Sequence, residues 1–183
     1  LGSCVRDKGY LTYPFVLSWS LTEAMAEAGA SSGLLAALFT SGIALPHIVA
    51  AGTDDLVDRY VRPTLAGETI GSLAVTEPGG GSDVANIRTS AVRDDATGDW
   101  VVNGAKTFIT SGVRADFVTT AVRTGGPGWQ GISLLVVDKG TPGFEVTRSL
   151  TKMGWHCSDT AELAFTDVRV PAGNLVGEEN GGF

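Results

Sequence analysis

The first seventy residues carry apolar positions at helical spacing and the rest alternate with a period of two, the change falling near Gly71. Thr12–Ala28 places Phe15, Trp19, Met25 and Ala26 near helical spacing, with Gly29 as a stop. Ser31 or Ser32 can cap a second helix running to about Ala51. Gly52 ends it, Thr53 caps a third, and Asp54 and Asp55 occupy the first turn, where the helix dipole favours negative charge. Pro63 and Gly67 close this part. Beyond it, short runs predict strands at Ser72–Thr76, Arg88–Arg93, Trp100–Asn103, Lys106–Thr110, Phe117–Arg123, Ile132–Asp138, Phe144–Arg148 and Glu162–Thr166. Asp95–Asp99, Asn103-Gly104, Thr124–Gly131 and Lys139–Gly143 read as hairpin turns or short loops. The expected fold is α+β, with an all-helical segment over residues 1–70 and an antiparallel β-barrel or sandwich over 71–183.

Composition narrows the classes of function. A formal net charge of −7, with Lys and Arg scattered, leaves no basic surplus to neutralise nucleic-acid phosphates. Gly33–Gly52 is apolar enough to suggest a membrane span, which needs about 20 predominantly apolar residues. Thr40, Ser41, Pro46 and His47 interrupt it and no aromatic or basic anchors flank it, so it reads as a helix buried in a helical domain. Cys4 and Cys157 do not make a disulfide framework and are expected as reduced thiols. His156 and Cys157 are adjacent, but His47 and Cys4 are remote in sequence, so no metal site is expected. The chain opens on Leu1 rather than Met, which suggests upstream trimming, and no targeting signal is read.

Two runs carry the candidate chemistry. In Leu73-Ala74-Val75-Thr76-Glu77-Pro78-Gly79-Gly80-Gly81-Ser82-Asp83 an apolar strand ends in a hydroxyl, and glycines then expose bare backbone. Such loops approach phosphates or planar cofactors, because glycine lacks a Cβ and tolerates positive φ. A flexible strand connection is the plain alternative. In Asn103-Gly104-Ala105-Lys106-Thr107-Phe108-Ile109-Thr110-Ser111-Gly112 the Asn-Gly turn should fold Lys106–Thr110 back on Trp100–Asn103. Phe108 and Thr110 would then share a face, suiting a flat heterocycle with a polar edge or an ordinary half-buried strand. Gly126-Pro127-Gly128-Trp129-Gln130-Gly131 matches GxGxxG in letters, but it joins two predicted strands and fails the Rossmann context. Ser82 has neither the trailing glycine of a nucleophile elbow nor an obvious base.

Together and in this order, the two runs resemble the acyl-CoA dehydrogenase family. Val75-Thr76-Glu77-Pro78-x-x-Gly81-Ser82-Asp83 matches its signature, and Phe108-Ile109-Thr110-Ser111-Gly112 its second flavin-contacting segment. Lys152-Met153-Gly154, Cys157–Leu163, Asp167–Pro171 and Gly177-Glu178-Glu179 agree, as does Gly52-Thr53 leading to Leu65–Glu68. The resemblance implies an FAD-dependent dehydrogenase of acyl-CoA thioesters, medium- or long-chain-like, passing electrons to an electron-transferring flavoprotein. An acyl-CoA oxidase on the same scaffold, or a noncatalytic flavin- or acyl-CoA-binding module, are the alternatives. It implies FAD contacts from Leu73, Ala74, Val75, Thr76, Gly81, Ser82, Phe108, Ile109 and Thr110, with Thr76 at the pyrimidine edge and Thr110 near N5. Ser82 would also face the CoA part of the substrate, and Trp129 and Gln130 either meet CoA or simply pack. Glu77 is used structurally. The family's first helices are expected before Leu1 and its C-terminal helical domain, with the catalytic Glu, after Phe183, so no catalytic residue is expected here. The full-length protein is expected as a homotetramer or homodimer, cytoplasmic or in the mitochondrial matrix.

Overall fold

The structure, a computed structural model, describes residues 12–183, so Cys4 lies outside the described residues. Helix α1 spans Thr12–Glu27 and stops where Gly29 turns left-handed at φ 86°. Ser31 caps the next helix by accepting the Leu34 amide, as its sequence position suggests. The single helix expected from there to Ala51 is instead three pieces: α2 (Ser32–Leu38), α3 (Ser41–Ala44) and α4 (Pro46–Ala51). Two local causes are visible. The Thr40 hydroxyl turns back to the Ala36 carbonyl at 3.0 Å, and Pro46 has no N–H to continue a helix. Among the described residues no single helix is long and apolar enough to cross a membrane; α2 and the α3–α4 run, bent by 43°, meet that length and composition only as a pair. Ala44, Leu45 and Ile48 of this run are buried.

Thr53 caps α5 (Asp54–Leu56) through the Leu56 amide, and the helix widens into a π-helical turn over Val57–Val61 before α6 (Arg62–Ala66). That turn aims Tyr60 inward at the sheet. Its hydroxyl donates to Asp138 at 3.0 Å and receives Arg59 at 2.9 Å and Asn174 at 3.2 Å. Burial, then the Asp138 charge, push the phenol up to about 12, so it stays a neutral donor.

Eight strands follow: β1 Gly71–Ala74, β2 Ser90–Arg93, β3 Trp100–Thr110, β4 Phe117–Arg123, β5 Ile132–Asp138, β6 Phe144–Ser149, β7 Thr160–Val170 and β8 Leu175–Val176. They form one sheet in the order β6-β7-β3-β2-β4-β5-β8, with β1 also on β4. The expected α+β architecture holds, helices followed by a β domain; the sheet is mixed rather than wholly antiparallel and is not a closed barrel. Both β1 and β2 join β4 in parallel, and β6 and β8 are open ends. The sheet curls instead. Val118 and Val122 of β4 and Leu135 and Val137 of β5 share one interior with Val102, Leu163 and Phe165, while Phe117, Ala121, Ile132 and Val136 face Ile48, Leu56 and Tyr60 of the helices. Strands β4 and β5 are therefore buried on both faces.

The hairpin expected at Asn103-Gly104 does not form. Trp100–Thr110 is one strand, paired along its length with β7 and bulged between Val102 and Gly104. Asn103 spans the bulge by exchanging two hydrogen bonds with Asp167, at 3.0 and 2.9 Å. Gly104 sits at φ 149°, and a Cβ there would lie 2.6 Å from Thr89 Cα. The glycine serves a strand crossing rather than a turn. Gly104→Ala is expected to destabilise the protein by about 1–3 kcal/mol. Gly154→Ala, where a Cβ meets nothing within 4 Å, should stay within about 0.5 kcal/mol of wild type. Urea midpoints of the two variants test the contrast.

Candidate functional site

Strands β1 and β3 end side by side because their backbones are tied twice. The Ser72 hydroxyl donates to the Thr110 carbonyl at 2.6 Å, and the Thr107 amide donates to the Thr76 carbonyl at 2.9 Å. Over these ends lies an open cleft of about 200 Å³. Leu73 lines it from β1 and Val75 and Thr76 from the segment just after it, Phe108, Ile109 and Thr110 from β3, and Thr40 and Ile43 from the α2–α3 turn and α3. A buried 3.0 Å hydrogen bond between Thr40 and Ser111 fixes the helical wall to the end of β3. The Thr40 hydroxyl is thus committed to protein partners. Among the described residues, nothing engages the hydroxyls of Thr76 and Thr110.

Next to the cleft sits a buried ion pair. Lys106, with no exposed surface, donates to Glu77 at 2.9 Å and to the Val75 carbonyl at 2.9 Å. The other demands of Glu77 are met by the amides of Arg88 at 2.7 Å and Thr89 at 2.8 Å. Burial raises the Glu77 carboxyl, but the hydrogen bonds from Arg88, Thr89 and Lys106 together outweigh it and hold it below its ordinary 4.5. Burial pulls the Lys106 ammonium below its ordinary value, with Glu77 opposing. Residues on both sides of Thr76 are therefore gripped from β3.

Two further features shape the opening. Phe108 has φ 58° and is 67% exposed, at a second bulge against β7 between Lys106 and Ile109. A bulky residue in that region costs about 1–3 kcal/mol and persists where surrounding contacts impose it. Here buried Lys106 and Ile109 on either side hold the strand while Phe108 swings into the cleft. The glycine turn behaves otherwise than expected. None of Gly79, Gly80 and Gly81 takes positive φ, and a Cβ at Gly79 or Gly80 would meet nothing within 4 Å. They leave space beside Thr76 rather than relieving backbone strain.

Comparison with known proteins gives this geometry a lineage. The family model for the acyl-CoA dehydrogenase middle domain matches residues 72–168, more than half of the chain. The chain belongs to the acyl-CoA dehydrogenase family. It is 44% identical over 146 residues to the long-chain specific acyl-CoA dehydrogenase of Mus musculus, covering 78% of this chain and 34% of that protein. A crystal structure of a probable acyl-CoA dehydrogenase from Mycobacterium abscessus superposes with a TM-score of 0.86 at 74% identity, covering 88% of this chain and 43% of that one. An FAD complex of PigA superposes with a TM-score of 0.77 at 30% identity, over 82% of this chain and 39% of that one. The chain thus spans between a third and a half of the length of these relatives.

Within this acyl-CoA dehydrogenase framework, the sequence-predicted residues divide. Leu73, Val75, Thr76, Phe108, Ile109 and Thr110 meet at the cleft. The Ala74 side chain points away into the sheet interior, and Gly81 and Ser82 lie on the exposed turn beyond Thr76. Thr40 and Ile43 were missed, because nothing in a Leu/Ala/Ile-rich helical run marks two positions that fold over a distant strand. Lys106 was missed too, hidden inside a strand whose letters suggest alternation. His156 turns to the Lys152 carbonyl at 2.8 Å, Cys157 is a free exposed thiol, and no group of metal-binding side chains occurs among the described residues.

Glu77→Gln should cost the family fold here about 3–5 kcal/mol, because it leaves the Lys106 charge buried without its counterion. A second change, Lys106→Met, should recover part of that loss. The folded Glu77 carboxyl is more acidic than an unfolded one, so its contribution is complete above about pH 4.5 and drains away as pH falls through the lower folded value. Urea unfolding as a function of pH checks both points: the wild type should lose stability on that acid limb, and E77Q should lack this component. Equal stability of E77Q and wild type at pH 7 would contradict the reading.

Proposed function

We propose that this chain is the flavin-binding part of an FAD-dependent acyl-CoA dehydrogenase that desaturates acyl-CoA thioesters between Cα and Cβ. The observation that carries the reading is the pair Thr76 and Thr110, which line one cleft from adjacent strand ends and whose hydroxyls have no partner among the described residues. A flat ring with a polar edge satisfies both, and Phe108, Val75 and Leu73 supply the apolar surface it needs. When bound there, FAD supplies the hydride acceptor for the reaction. Thr76 and Thr110 serve as preorganised donors wherever negative charge builds at the ring's edge. In this reading the backbone of Ala74, Gly81 and Ser82 also meets the cofactor, and the turn at Gly79 and Gly80, where a Cβ would meet nothing within 4 Å, leaves room for a large group. Ser82, exposed beyond Thr76, faces the CoA part of the substrate.

Abstraction of the α-proton needs a positioned carboxylate. Among the described residues none lines the cleft, and Glu77 is fully committed to Lys106, Arg88 and Thr89. The base in this reading comes from outside these residues. The protein then works as a homo-oligomer that hands electrons to an electron-transferring flavoprotein, in the cytoplasm or a mitochondrial matrix. Anaerobic addition of acyl-CoAs of several chain lengths to the FAD-loaded full-length protein should bleach the flavin. No bleaching with any chain length would leave only a binding module, and rapid reoxidation by oxygen would make it an oxidase.

Thr110→Val keeps the shape of the cleft and removes one donor, leaving a polar ring atom unpaired at a cost of about 1–3 kcal/mol. FAD should bind roughly five- to a hundredfold more weakly, and flavin reduction by acyl-CoA should slow. Fluorescence titration and stopped-flow bleaching measure the two effects. Unchanged affinity together with unchanged reduction would remove Thr110 from the site.

A further inference from the structure

Arg123 ends β4, and its side chain is spent on backbone carbonyls. Nε donates to Ile87 at 3.0 Å, Nη2 to Ala85 at 2.6 Å, and Nη1 to Gly126 at 2.6 Å and Gly128 at 3.1 Å. Its backbone amide donates to Thr89 at 2.7 Å. No carboxylate among the described residues pairs with it. The four side-chain bonds reach two separate segments. One is the short 3-10 turn Val84–Asn86, which directly follows Ser82 and Asp83. The other is the glycine-rich loop before β5, which carries Trp129, 55% exposed. That loop is shaped around the guanidinium: a Cβ on Gly131 would lie 2.0 Å from the Gly126 carbonyl and 3.0 Å from Arg123 Nη1. The planar fork spreads its donors over four carbonyls of the two segments, a reach that the compact ammonium of a lysine does not match.

We propose that Arg123 is a positioning residue for the CoA part of the substrate, locking the Ser82 turn and the Trp129 loop into one rigid rim. This rests on the dehydrogenase reading above. The rim lies outside the cleft residues, so its loss should weaken recognition of the carrier and leave the chemistry at the ring intact. Binding energy of that kind appears in KM rather than kcat when substrate and transition state are held equally.

The test uses the FAD-loaded full-length protein with two substrates of one acyl chain, the acyl-CoA and the S-acyl-N-acetylcysteamine thioester, which lacks nearly all of the carrier. Arg123→Gln should raise KM for acyl-CoA about tenfold, with KM for the short thioester and kcat at saturating FAD within about twofold of wild type. Amide hydrogen exchange should rise in residues 84–87 and 125–131 together. Arg123→Lys keeps the charge but not the fork, and should raise KM for acyl-CoA in the same direction; it also carries the test if R123Q does not fold. Wild-type KM for acyl-CoA in R123K would mean that charge, not the clamp, matters, and would overturn the proposal. So would an unchanged KM in R123Q, or equal rises on both substrates. If the wild type itself discriminates neither substrate nor bleaches with acyl-CoA, the functional reading fails and takes this inference with it.

Discussion

An ammonium group with no exposure to water must have its charge answered by the protein, and Lys106 imposes that requirement on everything around it. Its answer is Glu77 and the Val75 carbonyl, which places the end of β1 against the middle of β3 and leaves Thr76 between two gripped neighbours. Glu77 in turn takes the amides of Arg88 and Thr89, so the chain returning from the glycine turn is held to the same point. One buried pair therefore organises the strand end, the turn and the return segment. Such a pair gains little net stability over a well-packed apolar alternative. Its value here is geometric, because no apolar contact would specify which atoms meet.

The return segment is fixed from both sides by groups of opposite character. Glu77 accepts from its N–H groups at Arg88 and Thr89, while Arg123 donates to its carbonyls at Ala85 and Ile87. A connection holding no more than one short 3-10 turn thereby has several of its polar groups satisfied by two charged side chains, as a partly buried connection requires. The charge on Glu77 is matched by Lys106. The charge on Arg123 is spread over carbonyl dipoles alone, an arrangement suited to holding loops in place.

Strand β3 departs from regular pleating at two points, and each departure has a distinct task. The bulge at Asn103 and Gly104 lets β3 cross closely over Thr89 while the Asn103 side chain replaces lost ladder bonds through Asp167. The bulge between Lys106 and Ile109 turns Phe108 outward while Lys106 and Thr107 stay buried. Local strain at the cleft is thus sustained by burial on either side of it.

Much of this architecture was legible in the amino-acid sequence. Local chemistry suffices to place the caps at Ser31 and Thr53, the stop at Gly29, the two central strands Phe117–Arg123 and Ile132–Asp138, and the change from helix to sheet near Gly71. The two runs around Thr76 and Thr110 also announce themselves, since an apolar strand ending in a hydroxyl and glycines is a local pattern. What required the tertiary structure were the decisions made by partners distant in the chain. Asn103-Gly104 has the letters of a hairpin, yet β7 pairs across both halves and the turn never forms. Lys106 is polar in sequence and wholly buried in fact, because its counterion lies 29 positions away. Thr40 and Ile43 join the cleft only because α2–α4 fold over β1 and β3. A sequence states the preferences of each residue for its neighbours in the chain; which remote groups share a buried charge or a cleft is decided by the packing that brings them together.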